Sequence, residues 1–397
     1  NEDSADTDLL TQQGYQSLTR ATHDRVIARD HQTRARVAFA HEWDDLSAGF
    51  ADSLDWQVYR QDSETTQYTR EERTLPAPTL RDIRERAFNF DQRTYGLQAN
   101  FRKAFGASVR HDLTYGLDIA RTETRQKRDG LRTFPLTGVS TPVMSPDTFP
   151  VRDFPISRTK TAALYVQDEI GFADGTFRLV PGLRVDHYRL DPRHDAIFDA
   201  DNPGLALADI RETAVSPKLG VVWRFAPAWS LFGGYAHGFR SPPYNDVNIG
   251  FTNEQFGYTA IANPDLKPET STNAEIGVYF DNLAGFNANL TVFRTDYDDM
   301  ISGGTPIPNC WSATRPGLPG CMDLGNGFTQ DSFAQSINID RAQSRGAELA
   351  ARWQFHDSWS ASGNYTWTDT EQKSGIDAGA PVTNQARHIA NAKLDWE

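Results

Sequence analysis

The chain has 397 residues, and its 40 Lys and Arg against 53 Asp and Glu give a net charge of −13. No run approaches the ~18 consecutive apolar residues of a membrane-spanning helix, and an acidic chain lacks the cationic surplus that nucleic-acid binding needs. Only 38% of residues are hydrophobic, yet 23 Phe, 13 Tyr and 9 Trp supply the apolar area of a folded protein rather than a disordered one.

The chain opens NEDSADTDLL without a signal peptide, so the expectation is a mature chain or a piece of a longer one. Beyond that, period-two alternation recurs while helical periodicity is absent. It predicts about 13 strands, near 33–43, 50–63, 87–104, 107–125, 159–172, 175–190, 213–226, 229–240, 271–283, 285–301, 336–355, 358–371 and 387–396. In 161–170, Ala162, Leu164, Val166 and Ile170 oppose Thr161, Tyr165, Gln167 and Glu169. Residues 273–280 set Ala274, Ile276, Val278 and Phe280 against Asn273, Glu275, Gly277 and Tyr279. In 358–370, Trp359, Ala361, Gly363, Tyr365 and Trp367 share one face and polar residues the other.

Short turns join members of a pair at Phe105-Gly106, Ala173-Asp174, Pro227-Ala228, Ala284 and His356-Asp357. Six long loops, 64–86, 126–158, 191–212, 241–270, 302–335 and 372–386, separate the pairs. Strands longer than the usual five or six residues, with short turns at one end and long loops at the other, describe an all-β, transmembrane antiparallel β-barrel of the outer-membrane type. Aromatics flank successive short turns: Phe105, Phe172 with Phe177, Phe225 with Trp229, and Phe355 with Trp359. They mark an expected interfacial girdle. Low overall hydrophobicity follows, because only the lipid-facing half of each strand need be apolar. Thirteen is odd and bacterial barrels close with even numbers, so residues 1–397 read as part of a barrel.

Cys310 and Cys321 lie close together in a Pro/Gly-rich loop. So sparse and local a pair fits an oxidising compartment and one loop-stapling disulfide, the alternative being two separate buried thiols. No Cys/His cluster has zinc spacing, and no GxSxG, phosphate loop or Ser/His/Asp set indicates an enzyme. Asp296, Asp298 and Asp299 read as solvated rim charge before they read as a calcium site.

Residues 236–280 read AHGFRSPPYNDVNIGFTNEQFGYTAIANPDLKPETSTNAEIGVYF. Phe239-Arg240-Ser241-Pro242 looks like an FRAP box and Asn263-Pro264-Asp265-Leu266 like an NPNL box. Tyr165-Val166-Gln167-Asp168-Glu169, Pro181-Gly182-Leu183-Arg184 and Arg345-Gly346-Ala347-Glu348 look like recurring barrel-strand motifs. On these segments the whole chain resembles the TonB-dependent outer-membrane receptors, and through the two boxes their haem and haemoglobin branch. The resemblance implies a barrel of about 22 strands around an N-terminal plug, with plug and TonB box outside this chain. It implies energised uptake of haem, as cargo and not as a cofactor, from free haem or a haem protein. The partners are TonB and outer-membrane lipid, with no nucleic acid and no second copy of the chain. A ferric-siderophore receptor is the nearest alternative, and a passive pore or a structural outer-membrane protein the next.

Between the boxes, residues 243–262 contain no histidine, a departure from the haem branch. They do contain Tyr258 and Tyr244, and tyrosinate is an axial ligand for ferric haem because the cation favours the phenolate. Tyr258, mid-loop with Phe251 and Phe256 near it, is the first candidate, and Tyr244 beside Pro242-Pro243 the second. His237 either lines the site or is a hydrogen-bonded wall residue. His111 and His187 read as lumen-facing, and His194 as a loop residue. Arg240 offers a donor fork for a carboxylate such as a haem propionate, or a wall salt bridge. Asn263 and Asp265 are expected to cap the turn into the next strand, with Pro242, Pro243 and Pro264 stiffening the loop ends.

Overall fold

The computed structural model describes residues 2–16, 20–46, 48–76, 80–144, 147–253, 258–282, 284–310, 319–322, 330–375, 378–382 and 385–396. Thirteen long strands dominate them: β1 (Ala21–Trp43), β2 (Ser53–Thr74), β3 (Arg81–Phe105), β4 (Arg110–Phe134), β5 (Ile156–Phe172), β6 (Phe177–Arg193) and β7 (Ile210–Ala226). They continue with β8 (Trp229–Arg240), β9 (Glu269–Asp281), β10 (Phe286–Pro308), β11 (Ser332–His356), β12 (Trp359–Gln372) and β13 (His388–Trp396). Each pairs antiparallel with the next, so the sheet is a continuous meander. Nearest-neighbour pairing satisfies interior backbone groups within the sheet, as a hydrocarbon environment demands.

Register sorts the faces. Trp56, Ala99, Leu117, Leu164, Val185 and Val215 stand side by side in one cross-strand row, and Ile276, Val292, Ala347 and Trp367 in another. None of these residues is buried, and several are exposed: Leu164 is 65% accessible, Val215 52% and Ile276 52%. An apolar outer face of this extent is the signature of a sheet whose solvent on that side is lipid. At the turn end the ring pairs Trp229–Phe280, Trp353–Phe355 and Trp359–Trp396 have centroids 4.5, 5.4 and 6.2 Å apart, which is the expected aromatic girdle.

The strands run farther at the loop end than alternation indicates. β2 and β3 continue to Thr74 and from Arg81, so the expected loop 64–86 shrinks to a hairpin at 75–80. The 302–335 loop shrinks likewise to 309–331. Beyond the apolar band both faces of a strand are polar, and alternation fades while the hydrogen-bond ladder continues. Cross-strand pairs hold the extension: Arg73 donates to Asp82 at 2.7 Å and Arg86 to Glu71 at 2.6 Å. Gly346, within the Arg345-Gly346-Ala347-Glu348 motif, shows why that position is glycine. A Cβ there would lie 2.2 Å from the Trp367 carbonyl oxygen and 2.6 Å from Phe293 Cζ.

Buried apolar residues collect at the loop end. Leu190, Ile210, Val247, Leu266 and Ile301 form one cluster, and Met144, Phe149 and Val151 a second. The larger cluster therefore forms where the loop carrying Val247 and Leu266 meets the loop-side ends of the strands carrying Leu190, Ile210 and Ile301.

Candidate functional site

The 241–268 connection between β8 and β9 is built on that larger cluster. Arg240 ends β8, and its guanidinium lies 3.4 Å from Glu269 at the start of β9. Glu269 also accepts the Ile301 amide at 2.9 Å, which makes Arg240 a wall salt bridge with an exposed fork. Pro242 is fully buried. The fixed φ of Pro243 leads into one helical turn, Tyr244–Val247, which drops Val247 into the cluster. The Ser241 hydroxyl is buried at the same point.

Asn248, 1% exposed, ties this connection to the 194–209 loop: its Oδ1 accepts from Ala208 N at 2.8 Å and its Nδ2 donates to Ala208 O at 3.0 Å. A short hairpin follows, Gly250–Asn253 against Tyr258–Ile261, whose second strand runs parallel to the start of β11 at Ala260–Ala334. The second box closes the connection. Asp265 N donates to Asn263 Oδ1 at 3.1 Å, which is the expected turn cap, while Asn263 Nδ2 reaches the Ser336 carbonyl at 2.8 Å. Leu266 is buried in the cluster beside Val247. Both boxes thus act as anchors that pin the two ends of the loop.

The sequence candidates separate on this frame. Tyr244 packs edge-to-face on Phe154 with centroids 5.3 Å apart and lies against the apolar cluster. Burial pushes its hydroxyl up to about 12, which disfavours the phenolate, and its ring packs against the cluster. Tyr258 opens the second hairpin strand, while its side chain and Phe256 lie outside the described residues.

Of the histidines, His237 takes the hydrogen-bonded wall role, while the lumen-facing readings of His111 and His187 require correction. His237 shares its face with Trp229, Leu231 and Tyr235, whose register partners Phe280, Val278 and Ala274 carry the outer apolar face. It therefore shares the outward face as a hydrogen-bonded wall residue, with Nδ1 3.3 Å from Thr272 Oγ1. His187 stands on the face of Leu183 and Val185, and bonds Thr213 at 3.0 Å. His111 stacks on Phe105 at 4.6 Å and bonds Asp168 at 2.7 Å. All three satisfy an imidazole across a strand near a border of the apolar band, a parity that counting from Val185 or Tyr235 would have exposed. His194 bonds Asp199 at 2.6 Å in its loop. Asp296 is engaged by Arg294 and Gln343, and Asp299 lies 3.9 Å from Lys267, so the acidic run is divided among separate partners.

Cys310 and Cys321 are joined, with Cα atoms 5.0 Å apart, and staple the loop between β10 and β11.

Sequence reasoning missed the polar centre beside the apolar cluster. Arg128 of β4 lies between the rings of Phe88, Phe149 and Phe251, 5.3, 5.9 and 5.1 Å from its guanidinium carbon. It pairs with Asp147 and with Asp153, the latter at 2.6 Å. Arg152 bonds Asp195 at 2.8 Å, and Asp195 caps the short helix Ala196–Asp201. Burial pushes Asp147 and Asp153 upward. Partial burial, then the charges of Asp147 and Asp153, push Asp201 up to about 6. No periodicity links loops so far apart, and the sequence carries no signal for this centre.

The meander, its exposed apolar face and its loop-end core are those of an outer-membrane β-barrel wall. A family model described as TonB dependent receptor-like, beta-barrel matches residues 1–397, and the chain belongs to that family. It is 32% identical over 249 residues to an iron-regulated outer membrane virulence protein of Vibrio cholerae, covering 61% of this chain and 32% of that one. It is 28% identical over 262 residues to a hemin receptor of Yersinia enterocolitica, covering 62% and 31%. It is 26% identical over 254 residues to the ferric enterobactin receptor PirA of Pseudomonas aeruginosa, covering 61% and 29%. The copper transporter OprC superposes with a TM-score of 0.63 at 16% identity, over 95% of this chain and 51% of that chain. The matches thus span about a third of the length of these curated relatives. The place of such a barrel is the outer membrane.

Proposed function

We propose that this chain is the wall and loop-bearing part of a receptor that imports an iron complex across the outer membrane, energised through TonB, and that its cargo is haem, free or carried by a haem protein. The observation that carries the reading is the connection between the two boxes. It is pinned at both ends by Arg240–Glu269 and Asn263–Ser336, and the backbone of Tyr258 opens the second strand of its hairpin. A relative named as a hemin receptor supports it. In this reading the loops capture the cargo and Tyr258 supplies a phenolate to ferric haem. Arg240 turns its exposed fork to a propionate. Haem is cargo here, not a resident cofactor. A ferric-siderophore cargo is favoured by a different observation, the relative named as a ferric enterobactin receptor.

Haemin titration into the solubilised intact receptor, wild type beside Tyr258→Phe, decides between them. Saturable binding with a tyrosinate-type ferric spectrum, lost in the variant, is the expected result. Tight binding unchanged in the variant removes Tyr258 as ligand and retains haem. No saturable binding of free haemin or of a haem protein overturns the haem reading in favour of the siderophore one.

A further inference from the structure

The loop-side ends of β1 to β4 carry a knot of charge on their inward face, opposite in parity to Trp56, Ala99 and Leu117 of the outer face. Register sets Glu71, Arg84 and Arg132 side by side in one cross-strand row. The row above it holds Arg73 and Asp82, and a bulge between His23 and Arg25 brings His23 opposite Arg73. Arg86 lies one step below.

Four guanidinium groups therefore share two carboxylates. Asp82, its side chain wholly buried, takes Arg73 in a two-pronged pair at 2.9 and 2.7 Å and Arg132 at 2.5 Å. Glu71 takes Arg86 at 2.6 Å. Arg84 stands between them with its side chain 13% exposed and 3.7 Å from Asp82. It makes no hydrogen bond among the described residues, and its Nε is buried. The buried Nε2 of His23 lacks a partner too. Neighbouring carboxylates are occupied elsewhere: Glu72 and Glu85, of the opposite parity, pair with Arg70, Asp24 accepts from Thr74, and Asp147 is engaged by Arg128.

A cation held out of water is stabilised only by opposite charge and by acceptors for its N–H groups. Burial, and then the charge of Arg73, push the Arg84 guanidinium down to about 10. The knot has two more positive groups than negative ones, and the atoms it leaves free, Arg84 Nε and His23 Nε2, can both donate. A ligand that answers both facts carries two negative charges, offers only acceptors and is small enough to sit between adjacent strands. We propose that this knot is a binding site for an inorganic oxyanion of the phosphate or sulfate class, held by Arg84 with Arg86, Arg132 and His23. Guanidinium forks match such oxygens. The ion ties the loop-side ends of four strands together, and its site stands whatever the cargo is.

The test uses the intact receptor in detergent with labelled phosphate and labelled sulfate as probes, in chloride buffers of matched ionic strength so that general screening cancels. Equilibrium binding reads the ion held, and exchange mass spectrometry reads residues 81–86 and 128–134. Wild type should bind a single ion saturably and gain protection in both segments. Arg84→Gln removes a charged donor and should bind roughly 10- to 100-fold more weakly. In chloride alone the same variant should be at least as well protected as wild type, because the uncompensated cation has gone. Arg84→Lys keeps the charge without the fork and should bind at an intermediate level. No saturable binding by wild type, or binding unchanged in Arg84→Gln, overturns the proposal. Lower protection of Arg84→Gln in chloride overturns it as well, since the arginine would then be purely structural. So does tighter binding of glycerol phosphate than of inorganic phosphate, because the site would then serve a larger phosphorylated molecule.

Discussion

Asn248→Ala tests whether the loop core is a single clasp. In wild type the side chain is buried and makes both hydrogen bonds that Ala208 offers, at 2.8 and 3.0 Å. Truncation removes two bonds of about 1 kcal/mol each and strands a buried N–H and C=O, whose desolvation adds to the loss. Allowing for partial rescue by water, the docking of 194–209 onto 241–268 should weaken by about 2–4 kcal/mol. If the loops open locally rather than with the barrel, amide exchange around Ala208 should accelerate roughly 30- to 1000-fold. Peptides from β5 and β6 should keep their wild-type rates. Asn248→Asp keeps the acceptor for the Ala208 amide and loses the donor, so it should fall between the two. Exchange mass spectrometry at one fixed pH reads all three proteins. Protection around Ala208 within threefold of wild type in the alanine variant would refute the clasp and leave the loops held by apolar contact alone.

Three other outcomes are expected. The raised Asp147, Asp153 and Asp201 favour the folded loops in the protonated state. Their contribution is therefore full below the ordinary carboxylate value near pH 4 and is lost as pH rises through their raised values, about 6 for Asp201. Exchange of 135–155 and 194–209, corrected for intrinsic rates, should increase across that window, and Asp201→Asn should flatten its upper part. A methyl at Gly130 would lie 2.4 Å from Met144 Cε and Phe149 Cδ2. Gly130→Ala should displace the Met144 cluster at a cost of about 1–3 kcal/mol, seen as faster peroxide oxidation of Met144. Cys310→Ser opens a link between residues 11 apart in sequence. It should make the loop between β10 and β11 more sensitive to protease, at a cost of about 2–4 kcal/mol, with barrel melting unchanged.

How much of this was legible follows from where the solvent changes. β8 spans Trp229–Arg240, the very limits its alternation indicates, because lipid lies on one side of it and water on the other along nearly its whole length. β2 and β3 overrun their expected ends because Glu71, Arg73, Asp82 and Arg86 are polar and paired across the strands, and no apolar–polar contrast of faces remains to read. His111 and His187 were misread for want of parity: His187 is two residues from Val185 and so must share its face. The turn cap of Asp265 on Asn263 was legible because it is local. Arg152–Asp195, Asn248–Ala208 and Asn263–Ser336 were not, since each joins segments more than 39 residues apart through geometry that only the assembled barrel supplies.

That separation has a kinetic side. Every rung of the wall joins a strand to its immediate successor, so pairing can propagate hairpin by hairpin with short closures. The clasp at the loop end has no such route. Asn248 meets Ala208, and Asn263 meets Ser336, only after the intervening strands are in register. Assembly of this chain is therefore ordered: the wall zips first, and the part that meets the outside world locks last.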